Sequence, residues 1–124
     1  GVQPPQRGAD YNAAKAAINN LTVCLAGSLK GVGITVNTVS PGIIATPSLL
    51  PFVRTRYRDE LGWGDIGDEE VLRRVALEIH NLPAGRLGID DDIAMVVALL
   101  ASPRSGYVTG ANYRVDGGQV RGVN

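Results

Sequence analysis

Cysteine and histidine each occur once in the 124 residues, as do methionine, tryptophan and phenylalanine. A lone Cys24 excludes an intrachain disulfide framework and favours an intracellular, cytoplasmic protein. One Cys24 and one His80 cannot assemble a zinc constellation, so no metal site is expected. Charge of either sign is also in balance: 12 Lys and Arg face 12 Asp and Glu, for a formal net charge of zero. Neither nucleic acid nor an anionic membrane is an expected partner of such a chain. No apolar run approaches the roughly 18 residues that cross a bilayer. The opening GVQPPQRGAD lacks the apolar core of a signal peptide. What is present is 44% apolar and 19% charged residues, the balance of a soluble globular protein with one domain.

Punctuation by Gly and Pro divides the chain. Residues 1–9 read as a loop broken by Pro4, Pro5 and Gly8. Ala14, Ile18, Leu21, Leu25 and Leu29 recur at spacings of three and four, which predicts a helix from about Asp10 to Lys30, stopped by Gly31 and Gly33. Within that pattern Cys24 reads as a buried, inert thiol. ITVNTVS, Ile34 to Ser40, is β-branched and does not alternate cleanly, as in a strand covered on both faces. Residues 43–67, with Pro47, Pro51 and three glycines, read as a loop with short helical pieces. A helix over Glu69 to Asn81 places Val71, Val75 and Ile79 on one face and ends before Pro83. His80, near that helix end, reads as a helix-terminus or solvated side chain. Another helix begins at Asp90, with Asp90 to Asp92 favoured at its positive end and Ile93, Val96, Val97 and Leu100 facing inward. Asn112 to Val115 reads as a second strand, turned by Asp116-Gly117-Gly118.

Strands separated by helices predict an α/β fold with a right-handed parallel crossover. Two strands flanked by helices leave a long open edge, so the pattern reads as the later part of a larger sheet.

The stretch YNAAK carries the chemistry. On a helix Tyr11 and Lys15 are neighbours, and they share a face with Ile18 and Thr22. An ammonium beside a phenol favours the phenolate, and a phenol so placed can act as a general acid or base. Taken alone, such a pair is most often two solvated side chains. Three arginines, Arg54, Arg56 and Arg58, alternate around Tyr57 and read as a solvated stretch more than an anion site. GWGDIG, residues 62–67, fits G-x-G-x-x-G, yet no strand precedes it and it reads as a loop.

The run YNAAKAAINNLTVCLAGSLKGVGITVNTVSPGIIATP closely resembles the classical-type short-chain dehydrogenase/reductase family, in its C-terminal half. The Tyr-x-x-x-Lys helix is followed by Val36, Asn37, Val39, Pro41, Gly42, Ile44 and Thr46 in the family's order. Gly85-Arg86-Leu87-Gly88, Leu99 to Ser102, Thr109-Gly110 and Val115 to Gly118 match its closing segments. The resemblance covers nearly the whole chain, least well over residues 48–82. It implies the C-terminal portion of a single domain with a doubly wound Rossmann-type parallel sheet, and an NAD- or NADP-dependent oxidoreductase acting on a small carbonyl or secondary alcohol. Tyr11 would be the general acid or base and Lys15 would bind the nicotinamide ribose. The Pro41-Gly42 turn would leave room for the nicotinamide ring, and the Ile44 backbone and Thr46 hydroxyl would hold its carboxamide or the pyrophosphate. Leu50, Phe52 and Trp63 would wall an apolar substrate pocket. A homo-oligomer, dimer or tetramer, would form partly through the Tyr/Lys helix.

The family's glycine-rich first turn does not occur in these residues, and its catalytic serine would fall upstream of Gly1. The resemblance therefore implies a fragment, inactive by itself and needing the N-terminal half of the same protein. The alternative is a truncated, non-catalytic module that acts only in subunit association.

Overall fold

The computed structural model describes residues 8–122, apart from the side chains of residues 58–60. Most of the loop expected over residues 1–9, with Pro4 and Pro5, lies outside the described residues. The chain divides into two compact units: one holds residues up to Ser40, Ala94–Arg114 and Gly122, the other Pro41–Ile93 and Val115–Arg121.

The first unit is built on helix α1, Ala9–Ser28. Alanine-rich sequence favours the helix, and Asp10 in its first turn complements the positive end. Its last turn closes with Leu29 N–H on Leu25 O and Lys30 N–H on Gly27 O, within two residues of the expected end. The apolar stripe read from the sequence is largely exposed: Leu21 is 55% and Leu25 42% accessible, and Thr22 is the buried residue of α1. Cys24 is exposed, not buried. The 3.6-residue period marks a face without specifying what covers it.

Strand β1 is Thr38–Pro41 and strand β2 is Asn112–Val115; they pair in parallel. Thr38 N–H donates to Ala111 O at 2.9 Å, and Gly42 N–H to Val115 O at 3.0 Å. β2 has the predicted bounds, but β1 is shorter than Ile34 to Ser40. Its lead-in is tied differently. Thr109 Oγ1 accepts from Val36 N–H, and the Asn37 amide donates to Val108 O and accepts from Ala111 N–H. Gly110, at φ 74°, adds one backbone bond from its N–H to Val36 O at 2.7 Å.

The second unit contains helix α2, Leu49–Leu61, a 3-10 turn at Trp63–Asp65, and helix α3, Asp68–Arg74, which continues into a π turn at Val75–Ile79. A 13-residue α2 replaces the loop with short helical pieces. Pro51 is its third residue, where the N–H has no intrahelical partner to lose, so this proline does not break it. Val53, Trp63, Val71, Val75, Ala76, Leu82 and Leu87 form the core. Burying each of the larger ones contributes about 1.5–3 kcal/mol. Val71 and Val75 are buried as the sequence pattern predicts, with Ile79 packed against them. The π turn, in which His80 N–H reaches Val75 O, buries consecutive Val75 and Ala76. A further parallel bridge joins Ile44 to Gly88.

Helix α4, Asp90–Ala101, carries no fully buried residue. Ile93, Val96 and Leu100 are half-buried, but Val97 is 49% exposed, against expectation. Among the described residues, no helix is long and apolar enough to cross a membrane, and no group of three His, Cys, Asp or Glu could hold a metal ion.

Candidate active site

Tyr11 and Lys15 lie one helical turn apart on α1, and the structure brings them together: Lys15 Nζ stands 5.4 Å from the centroid of the Tyr11 ring. Tyr11 is 63% exposed, and no carboxylate pairs with Lys15 among the described residues. A phenol and an ammonium on one open helix face can therefore meet a ligand together.

The remaining cofactor candidates fall in the second unit. Pro41 ends β1 and Gly42 follows it. A Cβ at Gly42 would lie 2.6 Å from Asp116 Cα, so the backbone of Asp116 occupies one side of this turn. Asp116 is itself fixed: its carboxylate accepts from the N–H groups of Gly118 and Val120. Ile44 sits in the bridge to Gly88, where Gly88 N–H donates to Ile43 O and Ala45 N–H to Gly88 O. That pattern leaves the N–H of Ile44 itself without a partner among the described residues. Thr46 is exposed, and its hydroxyl meets only that of Ser48, at 3.2 Å. One unpartnered backbone donor and one exposed hydroxyl, two residues apart, suit a carboxamide, which offers a carbonyl acceptor and an amide donor. The residues present thus fit the nicotinamide end of a dinucleotide.

The three pocket candidates separate. Trp63 is 4% exposed and belongs to the core, 6.2 Å from the Tyr57 ring. It also lines a cavity of about 410 Å³ with Arg54 and Tyr57. Leu50 packs against the core half-buried, whereas Phe52 is 62% exposed.

Several polar residues have roles that the sequence reading did not assign. Arg54 donates to the Asp68 carboxylate and to the carbonyls of Trp63 and Ile66, so it ties down the turn between α2 and α3. Arg56 stands over the Tyr57 ring at 5.3 Å; the side chain of Arg58 is outside the described residues. Asp92 does more than complement the helix end. Arg86 grips it with two N–H donors at 2.7 and 2.9 Å, and Ile89 N–H donates to it at 2.8 Å. The guanidinium first, and then that backbone donor, hold the Asp92 carboxyl well below the usual carboxylate range. Hydrogen bonds from Arg73 and Arg74 likewise lower Glu70 to about 2. Burial pushes His80 down, the reverse of what a helix C-terminus does to an imidazole. Thr22 and Thr38, whose hydroxyls meet at 2.5 Å, were readable only in part. The helical face of Tyr11 and Lys15 includes Thr22, but nothing local points to Thr38.

An α/β chain with two parallel strands flanked by helices, and a Tyr and Lys on one helix face, matches part of a Rossmann fold. The family profile described as enoyl-(acyl carrier protein) reductase matches residues 2–119. The chain belongs to the short-chain dehydrogenase/reductase family, an oxidoreductase family, and corresponds to its C-terminal portion. It is 37% identical to the short-chain reductase protein NovJ of Streptomyces niveus, over 89% of this chain and 38% of that protein. It is 40% identical to the cyclohexanol dehydrogenase of a Rhodococcus species, over 89% of this chain and 34% of the relative. The crystal structure of L-sorbose reductase from Gluconobacter frateurii, complexed with NADPH and L-sorbose, superposes with a TM-score of 0.81 at 30% identity. That match covers 98% of this chain and 44% of the reductase. The chain thus spans less than half the length of these relatives.

Proposed function

We propose that the protein carrying this chain is an NADP- or NAD-dependent oxidoreductase that interconverts a carbonyl compound and a secondary alcohol. The observation that carries this reading is the exposed Tyr11 with Lys15 Nζ over its ring. The nicotinamide, when bound, supplies or accepts the hydride. Tyr11 donates its hydroxyl proton to the carbonyl oxygen during reduction, or takes the alcohol proton in the reverse direction. Lys15 holds the ribose hydroxyls beside Tyr11. The N–H of Ile44 and the hydroxyl of Thr46 hold the carboxamide, and the Pro41-Gly42 turn admits the ring. NADPH in the sorbose reductase complex supports the phosphorylated cofactor. Leu50, Phe52 and Trp63 are proposed to approach the substrate, a small molecule, in a cytoplasmic enzyme completed by the N-terminal half of the same protein.

Tyr11→Phe in the full protein tests this reading. With cyclohexanone and acetoacetyl-CoA as ketone probes, we expect NADPH or NADH oxidation to fall by about 100-fold or more, as for loss of a general acid. Wild-type turnover in that variant would sink the proposal. A second reading, association of subunits, is favoured by one observation: α1 exposes Ile18, Leu21, Val23 and Leu25. It is compatible with the first, and a homo-oligomer is proposed.

A further inference from the structure

We propose that the hydroxyl pair Thr22–Thr38 sets the rotation of α1 about its own axis and thereby positions Tyr11 and Lys15. This inference rests on the reading of those two residues given above. Tyr11, Lys15, Ile18 and Thr22 follow one another at spacings of four, three and four, so all four lie on one helical face. Apolar packing does not hold that face, because Ile18 is 43% exposed and only Thr22 is buried in α1. Apolar contacts are in any case non-directional, whereas a hydrogen bond fixes both distance and angle.

The hydroxyls have a defined order. Thr22 Oγ1 donates to Ile18 O at 2.9 Å, which uses its proton. Thr38 Oγ1 is therefore the donor to Thr22 Oγ1. Thr38 is a fixed reference. Its N–H is on Ala111 O, Val36 O accepts from Gly110 N–H at 2.7 Å, and the Asn37 amide is bonded at both ends. The lever is long enough to matter. Rotating α1 by about 10° moves a group roughly 6 Å from its axis by roughly 1 Å. An error of about 1 Å can cost on the order of 100-fold where groups must be aligned. Tyr11 and Lys15 would move together, so their mutual contact would survive while their aim at a ligand would not.

The test is nucleotide binding to the full protein, followed by NADPH and NADH fluorescence, with thermal melting alongside. Thr38→Val keeps the shape and removes the donor. We expect it to weaken binding about tenfold, as for a lost charge-assisted bond from Lys15 to the ribose. Thr22→Val should give the same loss, the double variant no further loss, and Thr38→Ser should return to within about twofold of wild type. Wild-type affinity in both valine variants, or failure of Thr38→Ser to restore it, overturns the inference. So does a loss seen only as a lowered melting temperature. Lys15→Ala separates the two levels. If it weakens binding while Thr38→Val does not, only the positioning role falls. If Lys15→Ala binds as wild type, or wild type binds neither nucleotide, both readings fall.

Discussion

Gly42 shows how much one absent methyl group can decide. An alanine there would set its Cβ 2.6 Å from Asp116 Cα, 2.9 Å from Asp116 Cβ and 3.0 Å from Asp116 O. Asp116 cannot retreat easily, since its carboxylate holds two backbone N–H groups and its carbonyl accepts from Gln119 N–H. Gly42→Ala is therefore expected to destabilise the second unit by about 1–3 kcal/mol, the usual cost of overpacking. A fall of several degrees in thermal melting checks this, and an unchanged midpoint contradicts it. The sequence marks Gly42 through its motif and suggests room for a ring. It does not reveal Asp116, because the two residues meet only once the chain has returned. His80 is a related case. Its place at a helix end is legible and is where it stands, but its partial burial depends on neighbours that no local pattern names.

Residues 43–67 are the hardest part of the sequence to read, yet a continuous 13-residue helix occupies much of them. Pro47, Pro51 and the glycines suggested interruption, yet Pro51 falls where a helix tolerates it and Leu49–Leu61 is continuous. Helix α3 was legible because Val71 and Val75 keep the helical period, and β2 because β-branched and aromatic residues end at a strong turn signal. The turn between α2 and α3 is held by Arg54, which serves the Asp68 carboxylate and the Trp63 and Ile66 carbonyls at once. Arg54→Ala should free that turn without removing the core beneath it. Limited proteolysis at residues 62–67 should become faster, with melting little changed; an unaltered cleavage rate would show that the turn does not depend on Arg54. Such multi-partner ties escape sequence reading because a guanidinium looks the same whether it is solvated or engaged.

Among the described residues, many large apolar side chains stand open. Met95, Leu99 and Tyr107 are at least 63% exposed, and Leu21, Val23 and Val32 at least 55%. The two-stranded sheet has no third strand on either side among the described residues, and unpaired strand edges invite association. The 124-residue chain alone is expected to self-associate, which sedimentation velocity would show as species heavier than the monomer. A monomer that melts cooperatively would contradict this. Family and fold class were legible at this scale, since ordered motifs along nearly the full chain depend little on packing. What covers the open faces was not.

Cys24 gives α1 a further property. Its thiol is the sole one in the sequence and points outward from the helix that carries Tyr11 and Lys15. A spin label or fluorophore attached there would report the angular setting of α1 directly, two residues from Thr22, and no second thiol within these 124 residues competes for it. The residue that the sequence pattern consigned to the interior is thus the natural handle by which the movement of this helix can be watched.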